Sequence, residues 1–546
     1  MKKYVMGVDF GTLSARCILV DLESGNEISE AVMNYPHAVI DEALPSGEKL
    51  PPSFALQHPK DYLDALSFTS HEAIKKAGIL PEEVIGIGID FTACTLLPID
   101  EEGTPLCMTE EFKDEKHAYV KLWKHHAAQD EANEITDLAK ERGEAWISTY
   151  GGRISSEWML PKILEVLRKC PKVYEKTYRF IEAADWLSLM LTGNETHSAA
   201  FAGYKSLWNA KTGYPSNDYY KALDKGLDGI VGTKISTNVL TMESIAGTLD
   251  ARGAAITGLC EGTTVALPML DAHAAMPALN IVDSGDLMLI IGTSACHILN
   301  AAEEKTVEGI CGYVKDGVIP GLYTYEAGQS GVGDIFDWHV KNCIPEKYEI
   351  EAREKGIGVH KLLRELAKAQ KPGESGLIAL DWWNGNRNIL GDASLSGMLV
   401  GATLRTKPED IYRALIEATA FGLRVIVEQY EKYGIEIKNV VAAGGIAKKD
   451  EMLMQIYADV LKRDIAVAST SQAGALGSAI YAAVASGAFA TVKEAAARLS
   501  KPHAATYSPI SENSEIYDAL YEEYKVLHDY FGKENSVMKK LLNLKK

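Results

Sequence analysis

The chain opens with an apolar, β-rich run, Tyr4–Asp9, that stops at an acid and is followed by Gly11. A second apolar run, Cys17–Asp21, returns after a tight turn. Val84–Asp90 (VIGIGID) has the same form, short, apolar and ending in an acid, and predicts a buried strand. Between these runs the apolar positions recur at helical spacing over Pro59–Lys76, His117–Lys140 and Ser156–Arg168. Strands alternating with amphipathic helices predict an α/β sheet with both faces covered. Ligands of such sheets gather at the carboxyl ends of the strands.

The second half repeats the opening device. Asp286–Asn300 (DLMLIIGTSACHILN) reads as a strand, a glycine turn and a returning strand. Gly292-Thr293-Ser294 falls where Gly11-Thr12-Leu13-Ser14 falls in the first half, with the turn one residue shorter. Val440–Leu461 adds a strand, a glycine pair and a helix. Two α/β domains, each starting with a glycine hairpin, account for this pattern. The Gly-rich stretch Gly253–Gly262 leads into a new strand and puts the boundary near Val265, giving domains over 1–265 and 266–546. Ile465–Val492 carries no charge, but its Ala473–Val492 part is rich in small residues and interrupted by Gly and Ser. That composition predicts a closely packed helix followed by a turn, not a membrane span. The chain ends in KKLLNLKK, whose lysines suit the negative end of a helix dipole.

Composition adds limits. At 546 residues the chain can bury large cores, and 47% hydrophobic with 24% charged residues is ordinary for a globular protein. A net charge of −19 argues against nucleic acid or an anionic membrane as the main partner. The first lysines reach Asp9 too soon for a secretory leader. Eight scattered cysteines without a CxxC pair then predict reduced thiols and a cytoplasmic location.

Several chemistries lack their signatures. The sequence has no GxxxxGK[ST], no GxGxxG after the first strand, no HExxH and no GxSxG. The glycine hairpins remain. A turn of Gly, Thr and Ser aims backbone N–H groups and hydroxyls at a phosphate, and Arg16 can add a charge-assisted bond. Asp9, at a strand end, is placed to hold Mg²⁺ directly or through water. Two such hairpins in equivalent places suggest opposed grips on one polyphosphate. The Gly444-Gly445 turn opens a helix and lets a nucleotide approach the backbone. Asp271, in PMLDAHAA, is either a helix cap or a general base that takes a proton from an alcohol attacking phosphorus. His273 beside it reads as structural, and Trp123 as a helix-face core residue.

Five segments in order carry a resemblance: Asp9–Arg16 (DFGTLSAR), Pro268–Ala275 (PMLDAHAA), Ile290–Ala295 (IIGTSA), Tyr325–Trp338 (YEAGQSGVGDIFDW) and Ala442–Gln455 (AAGGIAKKDEMLMQ). Together they resemble the FGGY family of carbohydrate kinases over nearly the whole chain. Ser396–Arg424 resembles that family's C-terminal signature stretch. DFGTLSAR, Arg153–Leu167 (RISSEWMLPKILEVL) and YEAGQSGVGDIFDW look most like the subgroup that phosphorylates L-ribulose.

The resemblance implies two actin/ribonuclease H-like domains closing on a central cleft. It implies ATP and Mg²⁺, with γ-phosphoryl transfer to the terminal hydroxyl of a ketopentose. It assigns Asp271 as catalytic base. It puts Gly11, Thr12, Ser14 and Arg16 in the first phosphate motif, with Asp9 near Mg²⁺, and Gly292 and Thr293 in the second. Gln329, Gly444 and Gly445 fall where the nucleotide lies. After the glycine pair the family often has Asn, whereas this chain reads Lys448-Lys449-Asp450. Lys205 and Glu326 match substrate residues of the subgroup, and Ala93 offers a close backbone approach to sugar. The subgroup implies a homodimer. Three other readings stay open on sequence: a kinase of the same family acting on D-ribulose or xylulose, an actin- or Hsp70-like ATPase without a sugar site, and, disfavoured because the catalytic positions are filled, a non-catalytic sugar-binding regulator.

Overall fold

The computed structural model describes residues 3–544. The chain forms two compact units. The first holds the residues up to Asp283 together with 313–324 and 472–501, and the second holds 284–312, 325–471 and the residues from Pro502 onward.

In the first unit the apolar opening run forms strand β1 (Tyr4–Phe10), which turns back into β2 (Ser14–Asp21) and then β3 (Glu27–Asn34). VIGIGID extends to β4 (Val84–Phe91), which lies parallel to β1 in a register that sets Asp9 beside Asp90. Strands β5 (Ile245–Thr248), β6 (Thr264–Ala266) and β7 (Met269–Leu270) complete the sheet in the order β5-β6-β4-β1-β2-β3, with β7 also against β4. Helix Pro59–Ala77 begins with the Pro at its first position and stops at Gly78 in the left-handed conformation.

The small residues of Ala473–Ala485 are explained by contact. A Cβ on Gly7 would lie 1.9 Å from the Ala475 carbonyl oxygen, on Gly88 2.1 Å from that of Ser478, and on Gly477 1.6 Å from that of Ala274. The helix therefore rests directly on β1 and β4 on one side and on helix Asp271–Ala278 on the other. This packing also explains why a single cut at Val265 does not divide the units. Helix Asp271–Ala278 and strand β7 are built into the first sheet, so Asp271 belongs to the first unit, and the chain returns to that unit at 472–501.

In the second unit β8 (Asp286–Ile291) turns back into β9 (Ala295–Ala301), and β10 (Tyr323–Gln329), β11 (Asn439–Ala443), β12 (Ile465–Ala468) and β13 (His503–Tyr507) extend the sheet as β10-β9-β8-β11-β12-β13. Strand β11 runs parallel to β8, as β4 does to β1.

One helical expectation fails. His117–Lys140 is a 3-10 turn at Lys116–Ala118, a short strand at Val120–Lys121 and a helix only from Gln129 to Arg142. Lys121 and His125, four residues apart, both meet one buried acid, Glu165, at 2.9 and 3.0 Å, and His117 lies 3.4 Å from the Lys121 ammonium, although the backbone there is not helical. No helix among the described residues is long and apolar enough to cross a membrane. The final helix, Val537–Leu544, carries Lys539 and Lys540, while Lys545 and Lys546 lie outside the described residues.

Candidate active site

The first hairpin places an acid pair at the ends of two parallel strands. Asp90 is fully buried, and Asp9 keeps about a quarter of its side chain exposed. Burial pushes both carboxyls upward, and for Asp90 the neighbouring charge of Asp9 adds to the effect. Ser478 Oγ donates to Asp90 Oδ2 at 2.6 Å. Gly474, in the first turn of its helix, comes so close that a Cβ there would lie 3.3 Å from both acids. The Arg16 guanidinium stands 3.9 Å from Asp9. Two adjoining carboxyls, one solvent-accessible, held in a dry strand end and biased toward the proton, are a donor set that a hard divalent cation suits.

The turn itself is tied down from outside. Gly11 N–H donates to the Ser14 carbonyl. The Gln57 amide donates to the Thr12 carbonyl at 2.7 Å, and the Trp123 indole N–H to Thr12 Oγ1 at 3.1 Å. Trp123 is thus not a helix-face core residue. It lies in a turn, is 38% exposed, and supports the hairpin. The sequence carries no signal for Gln57, because no periodicity marks a side chain that reaches back to a distant turn.

Asp271 is the first residue of helix Asp271–Ala278, directly after β7, and is half-buried. Its carboxylate accepts from the Ala272 N–H at 2.7 Å. The helix-cap position itself is filled by Leu270. The charge of Asp271 is felt at Asp90, which brings the candidate base and the acid pair together within this unit. His273 is buried against Tyr204.

Lys205 is 5% exposed at the end of helix Ala199–Lys205, with its ammonium 5.8 Å from the Trp158 ring centre. Its charge is felt at Cys94 and at Glu182. A surface lysine would be felt at neither.

In the second unit Gly292 and Thr293 line a cavity of about 410 Å³ with Gly333, Tyr412, Gly445 and Lys449. The helix Gly333–Asn342 starts on the carbonyls of the second hairpin: Gly333 N–H donates to Gly292 and Asp334 N–H to Thr293. Gly444 has a φ of 99° and a Cβ on it would strike the Ile291 carbonyl, so its glycine is structural. Gly445 has open space at its Cβ position and lines the cavity, so packing does not require glycine there. Gly11 and Gly292 also have room for a Cβ. Of Lys448-Lys449-Asp450, Lys449 and Asp450 line the cavity, whereas the Lys448 ammonium is held by the carbonyls of Ser469 and Thr470.

Gln329 does not fit the nucleotide role expected of it. Its side chain is buried and its amide is spent: NH₂ donates to Asp381 Oδ2 and the Thr419 carbonyl, each at 2.8 Å, and the oxygen accepts from His297 at 3.1 Å. Glu326 is buried and meets Arg387 at 3.2 Å, a partner the sequence did not suggest. A group at His37, His58 and Asp61 has metal-like composition, but its atoms are already used: both Asp61 oxygens accept from His37, and His58 Nδ1 caps a helix through the Lys60 N–H.

Known proteins sharpen this picture. Residues 4–276 match the N-terminal domain, and residues 287–486 the C-terminal domain, of the FGGY family of carbohydrate kinases. The chain is 50% identical to a ribulokinase of Geobacillus thermodenitrificans, covering 100% of this chain and 97% of that one. It is 47% identical to a ribulokinase of Mycolicibacterium smegmatis, covering 99% and 96%. A xylulose kinase of Rhodospirillum rubrum has the same fold, with a TM-score of 0.81 at 22% identity over 96% of this chain and 98% of that one.

Proposed function

The chain belongs to the FGGY family of carbohydrate kinases, and on that premise we propose that it is an ATP-dependent kinase of L-ribulose acting in L-arabinose breakdown. The observation that carries the substrate is the half-identity, over essentially full length, to proteins named ribulokinase. The geometry supports the reaction class: a half-buried aspartate at a strand end, next to an acid pair and a phosphate-type hairpin.

In this reading Asp271 accepts the proton of the sugar's C5 hydroxyl. That oxygen forms its bond to the γ-phosphorus as the bond to the β–γ bridging oxygen breaks, and ADP leaves. The hairpin N–H groups, the Thr12 and Ser14 hydroxyls and Arg16 bind phosphate oxygens. The cavity at Gly292, Thr293 and Gly445 takes the nucleotide. Lys205 and Glu326 bind the sugar hydroxyls, and the backbone at Ala93 abuts the sugar. Asp9 and Asp90 are the residues that would hold Mg²⁺, which when bound neutralises charge on the phosphates. The protein is taken to work in the cytoplasm as a homodimer.

The test is Asp271→Asn. Turnover should fall by about 10³-fold or more while ATP and sugar still bind by calorimetry. Near-normal turnover would remove Asp271 from the role of base. Ranking L-ribulose, D-ribulose, D-xylulose and glycerol by kcat/KM tests the substrate, and a leading kcat/KM for xylulose would overturn it.

A further inference from the structure

Two buried side chains of opposite charge, Lys162 and Glu182, sit behind the turn that carries Ala93. Residues Thr92–Thr95 link β4 to the strand Leu96–Ile99, and Cys94 takes the left-handed conformation at a φ of 59°. That conformation disfavours any residue with a Cβ, so it needs outside support. The support is unusual. The Lys162 ammonium donates to the Cys94 carbonyl at 2.5 Å, and Glu182 Oε2 accepts from the Thr95 N–H at 2.8 Å. These are the two ends of one peptide bond, the bond between Cys94 and Thr95. A positive and a negative side chain thus grip the same peptide dipole, each at its complementary end.

Both side chains are fully buried. Burial pulls Lys162 down and pushes Glu182 up, each offset by the charge of the other. Lys162 comes from helix Met159–Lys169, which also buries Glu165, and Glu182 from a strand that pairs in register with Leu96. Lys162 also donates to the carbonyls of Leu122 at 2.9 Å and Lys121 at 3.3 Å, the residues that lead into Trp123. Trp123 in turn supports Thr12 of the first hairpin. Stability alone does not call for such a pair. Burying two charged groups is costly even when backbone groups bond them, and Glu182 Oε1 is buried without a hydrogen-bond partner.

We infer that Lys162 and Glu182 are positioning residues that set specificity on the sugar side. They fix the Ala93–Thr95 turn through its Cys94–Thr95 peptide, within reach of the charge of Lys205. This rests on the proposed sugar-kinase reading and adds residues to which nothing in the family resemblance assigned a role. Neither touches the sugar. They act through the backbone that does, so loss of the grip loosens the sugar and leaves the nucleotide cavity of the second unit alone.

The test compares Lys162→Met, the charge-neutral double variant Lys162→Met/Glu182→Gln, and Ala93→Val with wild type, using the ketose that wild type turns over best. In the single and double variants KM for the sugar should rise about tenfold or more, with KM for ATP within about twofold. The double variant should melt within a few degrees of wild type. Equal rises in both KM values, or a lowered melting point with sugar KM unchanged, would overturn the inference. If Ala93→Val raises sugar KM and the lysine variants do not, the turn meets the sugar but the two charged side chains do not position it. If none of the three raises it, the sugar does not meet this turn, and both the inference and the Ala93 assignment fall. An inactive wild type on every ketose would instead defeat the kinase reading itself.

Discussion

The two hairpins of this protein are the same construction with different chemistry. Each is an antiparallel pair with a parallel strand beside its first member, and each turn closes with a glycine N–H on a serine carbonyl. In the first, the position one residue before the strand end is Asp9, paired across the hairpin with Arg16 and across the parallel strand with Asp90. In the second, the corresponding residue is Ile290, paired with Cys296 and Ala443. The backbone device is repeated, but only the first copy carries charge. At the strand end the first copy presents an acid pair and an arginine, whereas the second presents apolar side chains there and has its charged residues, such as Asp334, Arg364 and Lys449, on the helices around the adjoining cavity. A shared fold therefore leaves the division of chemical labour to a few side chains at the strand ends.

The largest expected contrast lies in the glycines. Gly477→Val in the first unit has nowhere to put its side chain, since even a Cβ would lie 1.6 Å from a backbone oxygen. It should cost several kcal/mol, about 3–5, and yield insoluble or unfolded protein. Gly445→Val in the second unit should melt as wild type does, because its Cβ site is open, yet raise KM for ATP about tenfold by narrowing the cavity. Circular dichroism melts beside ATP titrations separate the two. A destabilised Gly445→Val, or one with normal ATP affinity, would mean that this glycine serves the fold rather than the ligand.

The charge difference is tested next. Asp9→Asn removes the accessible member of the acid pair, and half-saturating Mg²⁺ should rise about tenfold with melting little changed. Ile290→Asn, the matching site in the second hairpin, should leave the Mg²⁺ requirement where it was. Equal Mg²⁺ shifts in both variants would erase the distinction between the hairpins.

How far the sequence revealed this depends on the type of interaction. Strands that end in acids, glycine turns and small-residue helices are local patterns, and they forecast β1, β4, β8 and the helix Ala473–Ala485 well. The places of Asp9, Asp271 and the hairpin residues in the fold are legible for the same reason, since they sit at the punctuation of those patterns. Contacts that join distant segments were not. Gln329 sits in a motif that suggests a nucleotide, but three partners from 32 to 90 residues away consume its amide. Lys162 looked like one polar position on an amphipathic helix, and its meaning depends on a turn 68 residues earlier. The apparent helix at His117–Lys140 shows the same limit: a spacing of four residues can reflect a shared partner as well as a helical face.

Two buried histidines give the smallest and most direct contrast between the units. His197 in the first lies between Asp185 at 3.3 Å and Glu195 at 3.5 Å. Burial alone would lower it, but the two carboxylates prevail and raise it to about 9. His297 in the second is buried with only the neutral Gln329 amide as its hydrogen-bond partner, and burial lowers it to about 4. The signs are opposite. Folding holds a proton on His197, so its contribution is complete below the ordinary histidine value near 6.5 and is lost as pH rises through about 9. Folding keeps His297 neutral, so its contribution is complete above about 6.5 and is lost as pH falls toward about 4. Each is worth on the order of 3 kcal/mol at most. Hydrogen exchange, corrected for intrinsic rates, should show protection around residue 197 weakening from pH 7 to 9 and protection around residue 297 weakening from pH 6.5 to 5. His197→Gln should flatten the first slope and leave the second, and His297→Gln should do the reverse. Slopes that persist in both variants would show that other groups, not these histidines, set the pH response of the two units.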